Sequence, residues 1–246
     1  AGGTLNLLEL IRETGRHVGL VFTSTIKVYS PLEEIRFVAS ATRYSPASGL
    51  RAIDETRPLN FHSPYGCSKG AADQYVLDYA RCYSVAATVF RMSCVYGPHQ
   101  YGTEDQGWVA RFLIRAQKEV AITIYGDGRQ VRDLLYVDDL VEALLLAEDH
   151  LPGIAGQAFN IGGGWENTIS LRELIERITA LNSSSPEVTY GPWRIGDQRW
   201  YVSDSGKFET LTGWRPRTDV EHGIRSLHQW IAVNHGAAAA ARVVGS

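Results

Sequence analysis

Two apolar runs on either side of one long amphipathic helix constrain the fold of this chain most strongly. Residues 17–22 are apolar and predict a buried strand, and residues 85–91 are apolar and β-branched and predict another. Between them, Ser63 is a good helix N-cap, Pro64 suits the first helical position, and an apolar stripe follows. Strands that alternate with helices of this length are typical of a parallel α/β sheet.

Tyr65 and Lys69 lie four residues apart near the start of the predicted helix, so they share one face. A phenol titrates near ~10, and a neighbouring ammonium stabilises the phenolate and lowers its pKa. Such a pair would supply a general base near neutral pH. The alternative is an exposed aromatic ring beside a solvated Lys, and for this spacing taken by itself that alternative is the better interpretation.

Small hydroxyl residues, ending at Thr25, directly follow the first predicted strand. Open α/β sheets place their ligands at the carboxyl ends of such strands. With Tyr65 and Lys69, this segment resembles the extended short-chain dehydrogenase/reductase family, in which a Ser or Thr closes a strand and Tyr-x-x-x-Lys opens a later helix. The resemblance covers roughly residues 1–232, and further family segments follow in order at residues 96–98, 125–128, 132–133, 136–139 and 159–163.

The resemblance implies a doubly wound parallel α/β sheet that binds NAD, with a smaller α/β domain for a nucleotide-sugar substrate. The expected NAD-binding part is residues 1–96 with 132–162, the expected substrate part is residues 97–131 with 163–234, and residues 235–246 form a low-complexity tail.

The beginning of the chain predicts a helix, because Leu5, Leu8 and Ile11 share one helical face. No glycine-rich phosphate loop follows a strand here, and the glycines at residues 162–164 lack the required spacing, so they predict a tight turn. In the family, that loop and the first strand precede this point. We therefore expect that the first βαβ units are missing and that these residues alone neither hold NAD tightly nor turn over.

The family resemblance also implies roles for individual residues. Tyr65 would be the base, Lys69 would hold the nicotinamide ribose, and Thr25 would bond the reacting hydroxyl. The expected cofactor contacts are Ser24, Tyr65, Lys69 and Arg91, and the expected substrate contacts are Thr25, Cys94, Gln106, Arg132, Arg194 and Asp197.

Three of these substrate residues have open alternatives. Arg132 resembles the family's diphosphate-binding arginine, whose planar fork matches phosphate oxygens, but it could instead pair with Asp133. Arg194 and Asp197 resemble the segment that reaches the diphosphate and the nucleoside ribose, with a surface turn as the alternative. Cys94 stands where many members carry Asn, and this departure weakens the expected sugar contact.

Within the family, residues 65–75, 91–97 and 102–108 look most like members that act on a CDP-linked 3,6-dideoxyhexose. This implies inversion at C2, which no carbonyl acidifies, so oxidation by NAD followed by hydride return is the plausible route. Family dehydratases carry an acid just after the Thr, where this chain has Ile26 and Lys27, so we expect epimerisation. The alternatives are another nucleotide-sugar epimerase, such as a UDP-hexose 4-epimerase, and a non-catalytic nucleotide-sugar-binding remnant.

Composition narrows the classes of partner. A net charge of -3 without basic clusters gives no support for nucleic acid or a membrane surface. No apolar run approaches a membrane span, and we expect no signal peptide. The 3 Cys residues form no C-x-x-C pair and favour a cytoplasmic setting, and the 7 His residues show no metal-ligand spacing. The resemblance further implies a homo-oligomer when complete and a place in lipopolysaccharide O-antigen sugar synthesis.

The remaining pattern predicts a long connection and several shorter elements. The connection spans residues 30–62, where the family places substrate contacts and where a plain surface excursion is the alternative. The elements are helices opening at Trp108, at Asp138 or Asp139 and at the Ser170–Glu173 capping box, strands at residues 122–125 and 157–161, and helices at residues 204–213 and 220–230.

Overall fold

Strands and helices alternate along the chain, as the sequence predicts. The computed structural model describes residues 1–15, 18–29 and 31–243, with side chains described to residue 234. The helices are α1 (Gly2–Thr14), α2 (Ser63–Tyr83), α3 (Trp108–Gln117), α4 (Val137–Ile154), α5 (Leu171–Asn182), α6 (Gly206–Thr212) and α7 (Val220–Val243). The strands are β1 (Leu20–Thr25), β2 (Phe37–Ala39), β3 (Tyr44–Pro46), β4 (Ala87–Met92), β5 (Cys94–Tyr96), β6 (Ile122–Tyr125), β7 (Val131–Tyr136), β8 (Ala158–Ile161), β9 (Thr168–Ser170), β10 (Val188–Gly191) and β11 (Trp200–Tyr201).

A parallel sheet with β4 at its centre carries the first part of the fold. β1 pairs with one side of β4 and β8 with the other, both in parallel. On one face, α1 and α2 bury Leu8 and Val76 with Val89. On the other, α4 and α6 share a core in which Phe208 packs with Phe90. Because helices cover both faces of a parallel sheet, the predicted doubly wound α/β fold is confirmed.

The start of α2 and the end of β1 lie close to their predicted positions. β1 ends at Thr25, although His17, which opens the predicted strand, lies outside the described residues. The N-cap position of α2 is occupied by His62 rather than Ser63. Nevertheless, the hydroxyl of Ser63 accepts a hydrogen bond from the backbone N–H of Gly66 at 3.2 Å. The cap chemistry is therefore present one residue later than the cap position.

A second group of strands surrounds β7. β5 and β11 pair with β7 in parallel and β9 pairs with it antiparallel, while β6 and β10 form a separate parallel pair. α3, α5 and α7 pack together around Leu113, Ile178 and Leu227. The sequence did not predict β5, β10 or β11, because these strands are short and depend on partners distant in sequence, nor did it predict β7, in which polar residues interrupt the apolar pattern. The division of the chain into two domains stays a prediction.

The connection after β1 is more ordered than expected. Ser30 lies outside the described residues, but β2 and β3 form an antiparallel hairpin within the rest of the connection. Arg43 of this hairpin contacts Glu173 at 2.6 Å, and the hydroxyl of Tyr44 donates to Asp127 at 2.7 Å. The hairpin is therefore fastened to residues much later in the chain, and substrate contacts from this connection stay a prediction.

The helix boundaries correct two further expectations. Asp139 does not cap α4; its buried carboxylate accepts backbone N–H bonds from Arg217 and Thr218, both at 3.1 Å. It therefore holds the segment that leads into α7. That helix continues beyond Trp230 to Val243, so much of the predicted tail is helical in its backbone. The capping box at the start of α5 is present as predicted, and no helix among the described residues is long and apolar enough to cross a membrane.

Candidate active site

A cavity of about 660 Å³ lies where the carboxyl end of β1, the start of α2 and the loop before β11 meet. All the expected substrate residues line this cavity, as does the expected base. They are Thr25, Tyr65, Cys94, Gln106, Arg132, Arg194 and Asp197. The fold thus brings together residues that span most of the sequence, whereas their individual roles stay predictions.

Thr25 and Tyr65 face the same cavity from different elements. Thr25 is the last residue of β1 and is 8% exposed, and its Oγ1 accepts a hydrogen bond from the backbone N–H of Lys27 at 3.3 Å. That bond uses one lone pair, so among the described contacts the hydroxyl hydrogen remains for a ligand. Tyr65 lies in the first turn of α2 and is 49% exposed, so a ligand can reach its ring and hydroxyl.

Lys69 lies one turn after Tyr65 and packs against β1 outside the cavity lining. Its ammonium donates to the carbonyl of Thr23 and lies 4.6 Å from the centroid of the Phe22 ring. Burial lowers the pKa of Lys69 below its ordinary value, and the nearby Asp73 carboxylate partly opposes that shift. The ammonium is therefore anchored against β1, near its carboxyl end.

The other two expected cofactor residues belong to a buried polar network. Ser24 donates to Oδ2 of Asp73 at 2.8 Å, and Arg91 bonds both oxygens of the same carboxylate at 3.0 Å. A further nitrogen of Arg91 donates to the hydroxyl of Tyr29 at 2.8 Å. Neither Ser24 nor Arg91 lines the cavity, and both are buried. The structure thus gives them a second interpretation as parts of the framework, and their contact with NAD stays a prediction.

Arg132 and Asp197 form a pair on the cavity wall. Nη2 of Arg132 donates to Oδ1 of Asp197 at 2.7 Å, so the alternative pairing with Asp133 is not what the structure shows. Asp133 instead accepts bonds from Ser93 and from a backbone N–H. Burial alone would raise the pKa of Asp197, but the charges of Arg132 and Lys27 lower it below its ordinary value. Asp197 is therefore an ionised acceptor.

Arg194 lines the cavity from the loop before β11, which also carries Asp197. Its guanidinium lies 4.1 Å from the centroid of the Tyr125 ring and contacts Glu104 at 3.6 Å and Asp105 at 3.5 Å. Glu104 also accepts a hydrogen bond from the hydroxyl of Tyr125. These contacts join the loop before α3 to the loop before β11 across the cavity.

Cys94 and Gln106 complete the set of expected substrate contacts. Burial raises the pKa of the Cys94 thiol, although the charges of Arg132 and Lys27 oppose this. Cys94 is therefore a neutral, weak hydrogen-bonding group where many relatives were expected to have an amide. Gln106 is exposed, and its backbone N–H donates to the Thr103 hydroxyl at 3.3 Å, so a turn holds its backbone.

Sequence reasoning missed several residues of this cavity. Lys27, Tyr125 and Gln130 line it together with Glu104. Lys27 had a readable signal, because it follows Thr25 by two residues at a strand end. Gln130 did not, because it is 2% exposed, with its amide donating to the Tyr125 carbonyl at 2.6 Å and its Oε1 left without a partner among the described residues. Such a contact depends on the folded chain.

The residues at the end of β1 fit one end of a dinucleotide. The half-exposed Tyr65 hydroxyl and the anchored Lys69 ammonium could contact a nicotinamide ribose at the sheet edge. The sequence contains no glycine-rich loop between a strand and a helix that could hold the diphosphate of the same cofactor. Among the described residues, no group of three or more His, Cys, Asp or Glu side chains could hold a metal ion.

The known proteins that this chain resembles include enzymes of nucleotide sugars and structures that contain NAD. A CDP-paratose 2-epimerase from Salmonella typhi is 41% identical over 237 residues, which are 93% of this chain and 69% of that protein. The UDP-glucose 4-epimerase of Thermus thermophilus in complex with NAD matches with a TM-score of 0.77 and 31% identity, over 94% of this chain and 69% of that one. The dTDP-glucose 4,6-dehydratase of Bacillus anthracis in complex with NAD matches with a TM-score of 0.75 and 30% identity, over 95% of this chain and 68% of that one.

The expected family resemblance is therefore confirmed, and with it NAD as the cofactor of the family. Residues 1–162 match the family described as the NAD dependent epimerase/dehydratase family. Its members in the comparisons are enzymes that act on nucleotide sugars. This chain belongs to the NAD-dependent epimerase/dehydratase family of nucleotide-sugar enzymes.

Proposed function

We propose that this protein is a nucleotide-sugar epimerase that inverts C2 of a CDP-linked 3,6-dideoxyhexose. The name of the Salmonella typhi relative, CDP-paratose 2-epimerase, supports this substrate. The observation that carries epimerisation over dehydration is the cavity wall directly after Thr25, which consists of Ile26 and Lys27. By the family resemblance, the dehydratases eliminate water with an acidic residue at one of these positions, and neither side chain here is a carboxylic acid.

Two carboxylates elsewhere in the cavity lining, those of Asp197 and Glu104, are poor replacements for the missing acid. The Arg132 and Lys27 charges hold the pKa of Asp197 below its ordinary value in spite of burial. A hydrogen bond from Tyr125, with help from nearby arginines, lowers the pKa of Glu104. Both groups are ionised near neutral pH, so they accept hydrogen bonds and have no proton to donate. This supports a reaction without loss of water.

The proposed chemistry assigns one task to each residue at the end of β1. C2 of the sugar is not acidic, so its inversion requires oxidation of the carbinol and reduction from the other face; bound NAD would supply this redox chemistry. Tyr65 takes the proton of the reacting hydroxyl and later returns it. Thr25 donates its free hydroxyl hydrogen to the reacting oxygen, and Lys69 holds the cofactor ribose beside them.

The cavity also offers groups for the nucleotide diphosphate. Arg132 donates one bond to Asp197 and one to the Val131 carbonyl, and Arg194 makes ion pairs of 3.5 Å and 3.6 Å with exposed carboxylates. Long, exposed ion pairs contribute little free energy, so a diphosphate can replace the carboxylates around Arg194. Asp197 is placed to accept hydroxyl hydrogens of the nucleoside ribose.

Product analysis tests the proposal. The full-length protein, supplied with excess NAD, is incubated with CDP-paratose and, separately, with UDP-galactose, and we expect CDP-tyvelose from the first and no UDP-glucose from the second. Tyr65→Phe should lower turnover by roughly 10²–10⁴ because the base is lost. Formation of UDP-glucose would indicate a 4-epimerase instead, and a 4-keto-6-deoxy sugar would indicate a dehydratase. Binding of CDP-paratose without any turnover would indicate a non-catalytic remnant.

A further inference from the structure

Lys27 lies where the expected catalytic strand meets the loop of the expected nucleotide contacts. It lines the cavity two residues after Thr25, and 27% of its side chain is exposed. Its ammonium donates to the carbonyl of Gly196 at 3.1 Å and lies 3.5 Å from Oδ1 of Asp197. The side chain thus crosses from the end of β1 to the loop that also carries Arg194.

The backbone of Lys27 contacts the catalytic side of the cavity. Its N–H donates to Oγ1 of Thr25 at 3.3 Å. Its carbonyl lies against Gly66 in the first turn of α2, where an added Cβ would meet that oxygen at 3.2 Å. One residue therefore touches Thr25, the turn that carries Tyr65, and the loop on the opposite wall.

Charge explains why this contact is specific. Lys27 and Arg132 share the carboxylate of Asp197. Burial and the nearby charge of Arg132 lower the pKa of Lys27, and Asp197 opposes both effects. A neutral side chain at position 27 would leave the Gly196 carbonyl without this donor and Asp197 with one cation fewer.

We propose that Lys27 is a positioning residue that fixes the loop at residues 193–197, and with it Arg194 and Asp197, in register with Thr25. The inference rests on the proposed function, because it gives this loop the nucleotide part of the substrate. Lys27 acts through the loop, so its loss affects binding of the nucleotide more than the proton transfer at Tyr65.

Three variants test the inference. Lys27→Met keeps the apolar stem and removes the ammonium, and Lys27→Arg keeps the charge. Lys207→Met is the matched control, because Lys207 also donates to a backbone carbonyl, that of Ala158 at 2.9 Å, but does not line the cavity. Hydrogen exchange of the amides at residues 193–198 and titration with CDP are measured for each folded variant.

In Lys27→Met we expect faster exchange at these amides and a Kd for CDP raised roughly tenfold, with the same kcat within about threefold in NAD-supplied protein. Lys27→Arg should largely restore the slow amide exchange and the Kd for CDP, and Lys207→Met should leave both quantities unchanged. Unchanged loop exchange in Lys27→Met overturns the inference, whatever the protein binds. If the unmodified chain binds no nucleotide diphosphate while Lys27→Met still loosens the loop, the positioning role stands and the proposed function fails.

Discussion

Two buried arginines, Arg91 and Arg132, each pair with an aspartate, and the two pairs differ in geometry and in exposure to solvent. Arg91 bonds both oxygens of Asp73 at 3.0 Å, and the two side chains are 5% and 0% exposed. Arg132 makes one bond to Asp197 at 2.7 Å, and 23% of that aspartate side chain is exposed. Both arginines lie on parallel strands and both were expected to contact a ligand. Only Arg132 lines the cavity.

The difference shows how a buried charge becomes either framework or binding site. Arg91 gives its donors to Asp73 and to Tyr29, so the protein itself compensates its removal from water. Arg132 gives one donor to the adjacent Val131 carbonyl and one to a carboxylate shared with Lys27. The Arg132–Asp197 pair is partly open to solvent through Asp197, so a polar ligand in the cavity can reach it.

The largest expected effect is the loss of stability on breaking the buried Arg91–Asp73 pair. Asp73→Ala leaves the Arg91 guanidinium buried without its counter-charge, so the free energy of unfolding should fall by about 3–5 kcal/mol. Urea denaturation measures this loss. Asp78→Ala is the matched control on the same helix, because Asp78 pairs with Arg81 in the solvent and should have no measurable effect. Equal effects of the two substitutions would contradict the framework role and favour Arg91 as a cofactor contact.

Substitution in the partly exposed Arg132–Asp197 pair should change the affinity for the nucleotide more than the stability of the fold. Arg132→Met removes a charged donor from the cavity while Lys27 still contacts Asp197. Loss of hydrogen bonds to a charged phosphate costs about 1.5–3 kcal/mol, so the Kd for CDP should rise roughly 10- to 100-fold. Calorimetric titration measures the Kd, and urea denaturation should show a smaller loss than Asp73→Ala. A stability loss as large as that of Asp73→Ala, with unchanged CDP binding, would break the comparison.

The contrast between the two pairs also shows what the sequence could predict. Thr25, Tyr65 and the capping box at Ser170 follow local rules of strand ends and helix starts, so their positions were read directly from the chain. The choice of partner by Arg91 and Arg132 was not predictable, because Asp73 and Asp197 reach them only through the fold. The partner of Lys27 was not predictable for the same reason, because Gly196 is far along the sequence. β7 was missed because its polar residues, although buried, interrupt an otherwise apolar strand.

A third pair, Arg43–Glu173, is also partly exposed, and its contribution to stability can be tested by changing the pH. In spite of burial, Arg43 and the Ser170 backbone N–H lower the pKa of Glu173 to about 2. Because the pKa in the folded state lies below the ordinary value of 4.5, this stabilisation is present above pH 4.5 and is lost as the pH falls from 4.5 through about 2.

Arg43 is 32% exposed, so solvent screening leaves a contribution of about 1–2 kcal/mol. Glu173→Gln should therefore lower the free energy of unfolding at pH 7, and the difference from the unmodified protein should shrink below pH 4.5. Denaturation at a series of pH values measures this difference, with the exposed Glu176→Gln on the same helix as the control. A difference that does not change with pH would show that the ion pair is not its source.

The smallest expected effect concerns the carboxylates that hold Arg194 when no ligand is bound. Glu104 contacts Arg194 at 3.6 Å and Arg111 at 3.5 Å, and it accepts a bond from Tyr125. A diphosphate that binds Arg194 must compete with this charge. Glu104→Gln keeps an acceptor for Tyr125 and removes the charge, so CDP should bind roughly two- to fivefold more tightly, as expected for a weak, exposed ion pair.

The effect of Glu104→Gln should also diminish at high salt, because solvent ions screen exposed charges. Glu148→Gln, on the exposed face of α4, changes the net charge of the protein equally and should leave the Kd for CDP unchanged. Weaker binding in Glu104→Gln would mean that this carboxylate supports the bound nucleotide rather than competing with it. Arg194 would then belong with Arg91 among the arginines whose partners are fixed by the protein, and Arg132 would be left as the exchangeable one.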